Sequence, residues 1–290
     1  MTGTPNIRIQ RPIQAAPILT MTAASALAIR GSTTVEIDGQ IHTFEEDTAI
    51  ALGDLVAGKD YGVGIDDKGS AIASLLSENP LDTNAVAGFH FAPGGCAEGR
   101  GGGDSVPTIN PHSLWDAGFR PACSDPRGMA AVEIAGGHRF WVDIYLLGVE
   151  HREHGTSQYG VEIADGISLA VLDYKTAVNI YAAHGKRLLT YDEFRVAAFG
   201  VTERSAAGSD PKTTGLDAAR TSRSGLMQAT GNLWVWGTDG DPDDPRPSFF
   251  GGSWISGSDA GSRVAYLDYW PEYSYGDISA RGASDHLNLA

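Results

Sequence analysis

The sequence predicts a β-rich α+β protein, and three observations lead to that fold class. Gly accounts for 37 of the 290 residues, a frequency that favours many strands and loops over long helices. Alternating apolar and polar residues flank the pair Asp38-Gly39, which is a strong β-hairpin signal. Helical periodicity is clear in two stretches of the second half of the chain, at residues 173–185 and 190–200.

Residues 1–81 are predicted to form a small β-rich module. A second alternating pattern, at residues 57–74, repeats the hairpin signal seen around Asp38-Gly39. A two-stranded hairpin is marginally stable on its own, so we expect these hairpins to join one sheet or to assemble between chains. The polar, turn-rich segment SENPLDT then predicts a boundary, with a second domain at residues 82–290.

The second domain is expected to contain a buried strand and both helices. Residues 140–147, FWVDIYLL, are apolar on both faces except at Asp143, as in a buried central strand. Asp173 can cap the first helix, and Thr190 with Glu193 fits a capping box at the start of the second. We expect both helices to pack on the sheet.

The charge and hydropathy of the chain restrict its partners. Its formal net charge of -15 repels nucleic acid and anionic membranes, and no basic run offsets that charge. No run of 18 apolar residues occurs, so membrane insertion is not expected either. These features favour an acidic protein displayed outside a cell.

The C-terminal stretch has the composition of a binding surface. Between Ser253 and Tyr275 lie two of the six Trp and four of the ten Tyr, separated mainly by Ser, Asp and Gly. Tyr and Trp give large contact areas at low entropic cost, and small polar residues add adaptable hydrogen bonds. The alternative is a late hairpin region whose aromatic residues are buried in the core, and composition alone leaves both interpretations open.

Sequence motifs around this stretch carry a family resemblance. GGSW, AGSR and ISARGASDHL resemble the frame of the variable region in the target proteins of diversity-generating retroelements. Upstream, PHSLWDAGFRPACSDPRGM, FWVDIYLLG, GKRLLTYDEFRVAAFG and GLMQATGNLWVWGTDG resemble the same proteins in the same order. The resemblance implies a C-type-lectin fold for residues 82–290, with a variable region at about 249–287 that displays hypervariable side chains.

In that family, variation is confined to adenine-containing codons of a repeat, which matches positions here that the frame motifs flank. The positions here that match, and that the resemblance implies as ligand-binding residues, are Ser253, Ile255, Ser256, Ser258, Asp259, Val264, Tyr266, Leu267, Asp268, Tyr269, Glu272, Tyr273, Tyr275, Gly276 and Asp277. The positions implied as scaffold are Trp254, Gly261, Arg263, Ile278, Arg281 and Asp285.

The resemblance also implies a partner and a location. The partner is a protein or surface receptor on a host cell, and the location is a virion tail, commonly the tip of a phage tail fibre, or another form of extracellular display. The N-terminal module could serve as an attachment or trimerisation collar, which leaves the monomer and the homotrimer both open.

A calcium-dependent sugar lectin is one alternative on the same fold. Asp239, Asp241 and Asp243 are the calcium candidates, because carboxylate oxygens are the ligands that Ca²⁺ prefers. Their register differs from that of an EF-hand, and Pro242 and Pro245 stiffen the segment. A solvated acidic turn is therefore our interpretation, and no cofactor is expected.

An enzyme is the other alternative, through a more distant similarity to formylglycine-generating-type enzymes. Those enzymes depend on a pair of cysteines late in the fold, whereas Cys96 and Cys123 precede both helices and are expected to be isolated thiols. His151 and His154 have metal-like spacing but no third ligand nearby, so we expect an exposed charged loop there. No catalytic residue is predicted, and the protein is not expected to be an enzyme.

Overall fold

The computed structural model describes residues 5–287, and strands far outnumber helices in that range. The strands in chain order are β1 (Ile7–Gln10), β2 (Leu19–Ala23), β3 (Ala26–Ile29), β4 (Thr33–Ile37), β5 (Gln40–Phe44), β6 (Thr48–Ala49), β7 (Lys59–Ile65), β8 (Ala71–Leu75), β9 (Ala87–Ala92), β10 (Thr108–Ile109), β11 (Trp115–Asp116), β12 (Met129–Glu133), β13 (Arg139–Asp143), β14 (Arg187–Thr190), β15 (Trp234–Thr238), β16 (Pro247–Phe250), β17 (Ala265–Tyr266), β18 (Ile278–Ala280) and β19 (Gly282–Asp285). The helices are α1 (His151–His154), α2 (Tyr174–Ala182) and α3 (Tyr191–Ala197). Within residues 5–287, no helix has the length and apolar character needed to cross a membrane. The predicted β-rich α+β class is confirmed.

Three sheets build the first part of the chain, and both predicted hairpins form within them. One sheet has the order β1-β4-β5, the second β2-β3-β6, and the third β10-β9-β7-β8 with β11 paired to β9. At the turn between β4 and β5, Asp38 and Gly39 have φ angles of 49° and 89°. Two consecutive positive φ angles match the right-handed twist of a hairpin, which is why an Asp-Gly pair is favoured there.

The expected domain boundary between residues 81 and 82 falls inside the third sheet. β7 lies before that point and β9 after it, yet the two strands pair, with Tyr61 opposite Phe89. A single apolar cluster also runs from Ile18 to Leu114. The turn-rich composition correctly predicted a connector here, in which Asn79 caps a short 3-10 turn. Composition does not indicate whether such a connector joins two domains or two strands of the same domain. We therefore propose that the first domain continues through β11.

The second part of the chain is organised on one eight-stranded sheet. Its order is β12-β13-β19-β14-β15-β16-β17, with β18 paired to β15. The segment from Phe140 to Leu147 is buried throughout, as predicted. Regular pairing in β13 stops at Asp143. The Arg281 guanidinium donates hydrogen bonds to the carbonyl oxygens of Asp143 and Ile144 at 2.7 and 2.6 Å.

Helices α2 and α3 begin where the capping signals predict and pack on this sheet. The Asp173 carboxylate accepts a hydrogen bond from the Thr176 amide at 2.8 Å. At α3 the capping box is complete, since Thr190 and Glu193 each accept the other's backbone N–H through the side chain. α2 packs into a cluster with side chains of β14 and β15, and the Phe194 ring of α3 stacks on Phe250 of β16.

The segment EHREH is a correction to the expected exposed loop. Residues 151–154 form the short helix α1, and His151 is buried with its ring 5.0 Å from that of Tyr181. Burial, assisted by the charge of Lys186, lowers the pKa of His151 to about 2, so the ring is neutral. The charged residues next to His151 in the sequence predicted an exposed segment, and nothing local indicated that its ring would pack on Tyr181.

Both cysteines are free thiols, as expected. Cys96 contacts the amide oxygen of Asn110 at 3.6 Å, and burial raises the pKa of Cys96 to about 12. Cys123 is buried, and burial raises its pKa as well. Neither thiol is therefore poised to act as a thiolate nucleophile.

Candidate ligand-binding surface

The candidate surface is the segment between β16 and β18, residues 251–277, which we call the display segment. It leaves the sheet after β16 and returns as β18, and both of these strands pair with β15. The short strand β17 pairs with β16 on the way, placing Tyr266 opposite Phe249. Both ends of the display segment are thus fixed to one buried strand.

The irregular part of the display segment is tied down by hydrogen bonds to neighbouring elements. Four of them join its second half to the rest of the domain: Tyr269 N to Pro247 O at 2.7 Å, Tyr174 N to Pro271 O at 3.0 Å, Leu172 N to Ser274 Oγ at 2.8 Å, and Gly166 N to Tyr275 O at 3.0 Å. Three involve main-chain atoms on both sides. These three contacts do not depend on which side chains the display segment carries.

Arg281, just after β18, joins the strand that follows the display segment to two other parts of the domain. It is almost fully buried, and besides the two carbonyls at the end of β13 it donates to the Met227 carbonyl at 2.7 Å. Burial lowers the pKa of Arg281 to about 10, which leaves it protonated at neutral pH. The guanidinium therefore satisfies backbone acceptors from two separate segments, consistent with the scaffold role implied by the sequence.

Several apolar side chains of the display segment are exposed. Tyr266 and Tyr275 are 54% and 63% exposed, and Ile255 and Leu267 are also exposed. Single exposed apolar residues are common, but a group of them on one short segment is typical of an interaction site.

Tyr269 and Tyr273 differ from Tyr266 and Tyr275, because they form the underside of the surface. Their ring centroids lie 4.3 and 5.0 Å from that of Phe249, which is buried. The Tyr273 hydroxyl donates to Asp277 Oδ1 at 2.8 Å. Burial and this hydrogen bond raise the pKa of Tyr273. Two of the four tyrosines are thus half-buried and pack against the core, while the other two are exposed.

The other candidate residues divide by exposure. Ser258, Asp259, Asp268 and Glu272 are exposed, whereas Ser256, Val264, Gly276 and Asp277 are half-buried. The Asp268 carboxylate pairs with Arg246 at 2.8 Å.

The burial of three residues differs from what their expected roles suggest. Ser253 is fully buried, so its side chain does not reach the surface, and its backbone bridges to Asn232 beside β15. Arg263 and Asp285, implied as scaffold positions, are exposed.

Sequence reasoning missed two exposed side chains. Trp270 is 74% exposed but is not among the positions that the resemblance implies as ligand-binding. Ile167 is also 74% exposed and lies outside the display segment. A Cβ at Gly276 would sit 2.7 Å from Ile167 Cδ1, so the two residues are in close contact. No local signal in the sequence brings them together.

The calcium candidates cap turns. Asp239 Oδ1 accepts hydrogen bonds from the backbone amides of Asp241 and Arg246 at 3.2 and 3.0 Å. Asp241 Oδ1 accepts a hydrogen bond from the backbone amide of Asp243 at 2.9 Å. The backbone hydrogen bond from Arg246 lowers the pKa of Asp239. Across residues 5–287, no three His, Cys, Asp or Glu side chains are grouped to hold a metal ion. The Asp239 and Asp241 carboxylates thus stabilise turns of their own loop.

Comparisons with known proteins cover nearly the whole chain. A family described as Mtd second domain matches residues 17–116, and this match ends where β11 ends. The tail fiber receptor-binding protein of Bordetella phage BPP-1 is 38% identical, over 95% of this chain and 84% of the relative. The solved structure of the Major Tropism Determinant U1 variant has a TM-score of 0.86 at 36% identity, over 97% of this chain and 86% of that one. The P3c variant gives a TM-score of 0.84 at 35% identity.

Proposed function

Since the chain belongs to the major tropism determinant family, we propose that it is a phage tail-fibre protein that binds a host-cell receptor through the display segment. Its C-type-lectin domain is the scaffold, and the diversified side chains are the recognition elements. The observation that carries the proposal is the row of exposed apolar side chains on a backbone fixed at both ends.

The surface suits a protein receptor. Exposed Tyr and Trp side chains dominate the energetics of protein interfaces, and polar neighbours such as Ser258 and Glu272 supply hydrogen bonds around them. A backbone held by main-chain hydrogen bonds needs little ordering on binding, so less of the contact energy is lost. We therefore place the protein at the virion tail, with a protein or surface receptor on a host cell as its partner.

Diversification is compatible with this scaffold. Main-chain hydrogen bonds hold the backbone of the display segment, while Tyr266 and Tyr275 extend into solvent. Substitution of exposed side chains costs little folding free energy. The same fold can then carry many different surfaces.

Neither alternative function gains support. The relatives are receptor-binding tail-fibre proteins rather than enzymes, and we propose no catalytic role. A calcium-dependent sugar lectin would need converging carboxylates, and Asp239 Oδ1 instead accepts hydrogen bonds from two backbone amides of its own turn.

A homotrimer assembled through the first domain is the second part of the proposal. Ile41 on β5, and Ile72 and Leu75 on β8, are large apolar side chains exposed on strands. Burying them between copies would remove apolar area from water. Sedimentation velocity should give a mass near three times 30.5 kDa, and a monomer would contradict this part alone.

The receptor proposal is tested with the labelled protein on a panel of bacterial strains, by flow cytometry. We expect saturable binding to particular strains that is lost after protease treatment of the cells. The double variant Tyr266→Ser/Tyr275→Ser should bind at least about tenfold more weakly while keeping its fold. The matched control is Val106→Ser, which removes an exposed apolar side chain outside the display segment. Equal binding by the double variant, or an equal loss in the control, would contradict the proposal.

A further inference from the structure

A cavity of about 960 Å³ is lined by both halves of the chain. It borders the display segment at Ser262 and Arg263, but none of the exposed tyrosine or tryptophan side chains of that segment lines it. Pro17 and Leu114 contribute from the first domain, and α3 and its flanks contribute from the second. We call it the arginine groove, after its five arginines: Arg100, Arg139, Arg195, Arg223 and Arg263. Glu133 is the one carboxylate side chain among the lining residues. In a chain with a net charge of -15, this is a local reversal of sign.

Aromatic rings hold four of these arginines in place. Arg100 and Arg223 both lie over the ring of Phe199, with guanidinium carbons 4.6 and 6.0 Å from its centroid. Two further stacks have the same form, Arg139 on Phe119 at 4.8 Å and Arg195 on Tyr191 at 5.4 Å. A guanidinium that stacks through its face keeps its N–H groups free at the edge, where they can donate to an anion.

Three of the five arginines have a carboxylate nearby. Arg139 pairs with Glu133 at 2.9 Å, and Arg195 lies 3.7 Å from Asp192. Arg100 lies 3.9 Å from Glu203, but Glu203 already accepts hydrogen bonds from the Ser262 hydroxyl and from the Ser262 amide at 3.1 Å. Within residues 5–287, Arg223 and Arg263 make no ion pair. Donor capacity therefore remains in the groove.

We propose that the arginine groove binds an acidic polypeptide segment, with carboxylates on the guanidinium edges and apolar side chains against the aliphatic lining. That lining includes Leu114, Val132 and Val196. The volume is in the range of pockets that hold large organic ligands, well beyond that of a single inorganic anion. Arg and Tyr are also the residues that most often dominate protein interfaces.

The overall acidity of the chain does not oppose a short acidic segment. At about 0.15 M salt, charges are screened beyond roughly 8 Å, so the clustered arginines dominate the local field. A long nucleic acid would extend past the groove into the acidic remainder of the surface and be repelled. The proposed ligand is therefore a short carboxylate-rich peptide.

The test uses the full chain and a fluorescent peptide of about eight alternating Glu and Leu residues, followed by anisotropy at about 0.15 M salt. We expect saturable binding, and a Kd at least about tenfold higher in the double variant Arg100→Gln/Arg223→Gln. Arg195→Gln should weaken binding independently. The matched control is Arg152→Gln, which removes the same charge from an exposed position on α1 and should bind like the unmodified chain. Circular dichroism checks that each variant folds.

Several results would overturn the proposal. The first is the absence of saturable binding, and the second is equal binding of a peptide with Lys in place of Glu. A third is an equal loss of peptide affinity in Arg152→Gln, which would mean that the net charge of the chain alone determines the affinity. A fourth is that inorganic phosphate binds in an arginine-dependent way while the peptide does not, which would indicate a simple anion site. A fifth is self-association lost in the double variant, which would assign the groove to a second copy of the chain.

Discussion

Changing the tyrosines of the display segment to Ser, one at a time, should separate stability from recognition. Tyr269 and Tyr273 pack on the buried ring of Phe249, whereas Tyr266 and Tyr275 are more than half exposed. Substitution of Tyr269 or Tyr273 should lower the free energy of unfolding. Substitution of Tyr266 or Tyr275 should mainly weaken receptor binding.

The expected magnitudes follow from burial. Truncation of a fully buried aromatic side chain costs about 3 to 5 kcal/mol. Tyr269 and Tyr273 are half-buried, so about 1.5 to 2.5 kcal/mol each is expected from the same scale. Tyr273 should lie at the upper end, because its loss also removes the hydrogen bond to Asp277. Substitution of Tyr266 or Tyr275 should lower the free energy of unfolding by less than about 1 kcal/mol each.

Urea denaturation followed by circular dichroism measures these differences, as shifts of the midpoint at unchanged slope. The double variant Tyr269→Ser/Tyr273→Ser should deviate from additivity, because the two rings are 5.6 Å apart and share Phe249. Equal losses at all four tyrosines would refute the division into surface and underside. So would a full loss of stability at Tyr275.

Three further predictions concern capping, metal and pH. Thr190→Ala should cost about 1 kcal/mol in urea denaturation because it removes the capping box, and an unchanged midpoint would contradict that role. Added calcium should leave the melting temperature unchanged, whereas a saturable rise abolished by Asp241→Ala would show a calcium site. The folded-state pKa of His151 is lowered to about 2, so the unfolded chain binds the extra proton below pH 6.5. The free energy of unfolding should therefore fall between pH 7 and pH 5.5, with His151 contributing on the order of 1 kcal/mol of the decrease. His151→Gln should make the free energy of unfolding depend less on pH in this range.

Local signals in the sequence predicted local structure well. The Asp38-Gly39 turn, the Asp173 cap and the capping box at Thr190 each depend on a few neighbouring residues, and all three form. Their geometry is set by φ angles and nearby amide groups. It therefore needs no knowledge of distant contacts.

Properties that depend on distant contacts were not predictable in the same way. The spacing of Tyr266 and Tyr269 gives no sign that one is exposed and the other lies against Phe249. The burial of Ser253 follows from its pairing with Asn232, and the contact of Ile167 with Gly276 joins two separate loops. Each depends on tertiary packing that composition and periodicity do not encode.

The attachment of both ends of the display segment to strands that flank β15 has a consequence for engineering. The sheet holds the two ends of this loop together, so lengthening the loop lowers the free energy of unfolding only by the additional entropy of loop closure. That entropy grows with the logarithm of length, and doubling the loop costs about 0.6 kcal/mol. Foreign peptides inserted among residues 255–259, where most side chains are exposed, should therefore be carried in the display segment with little loss of stability.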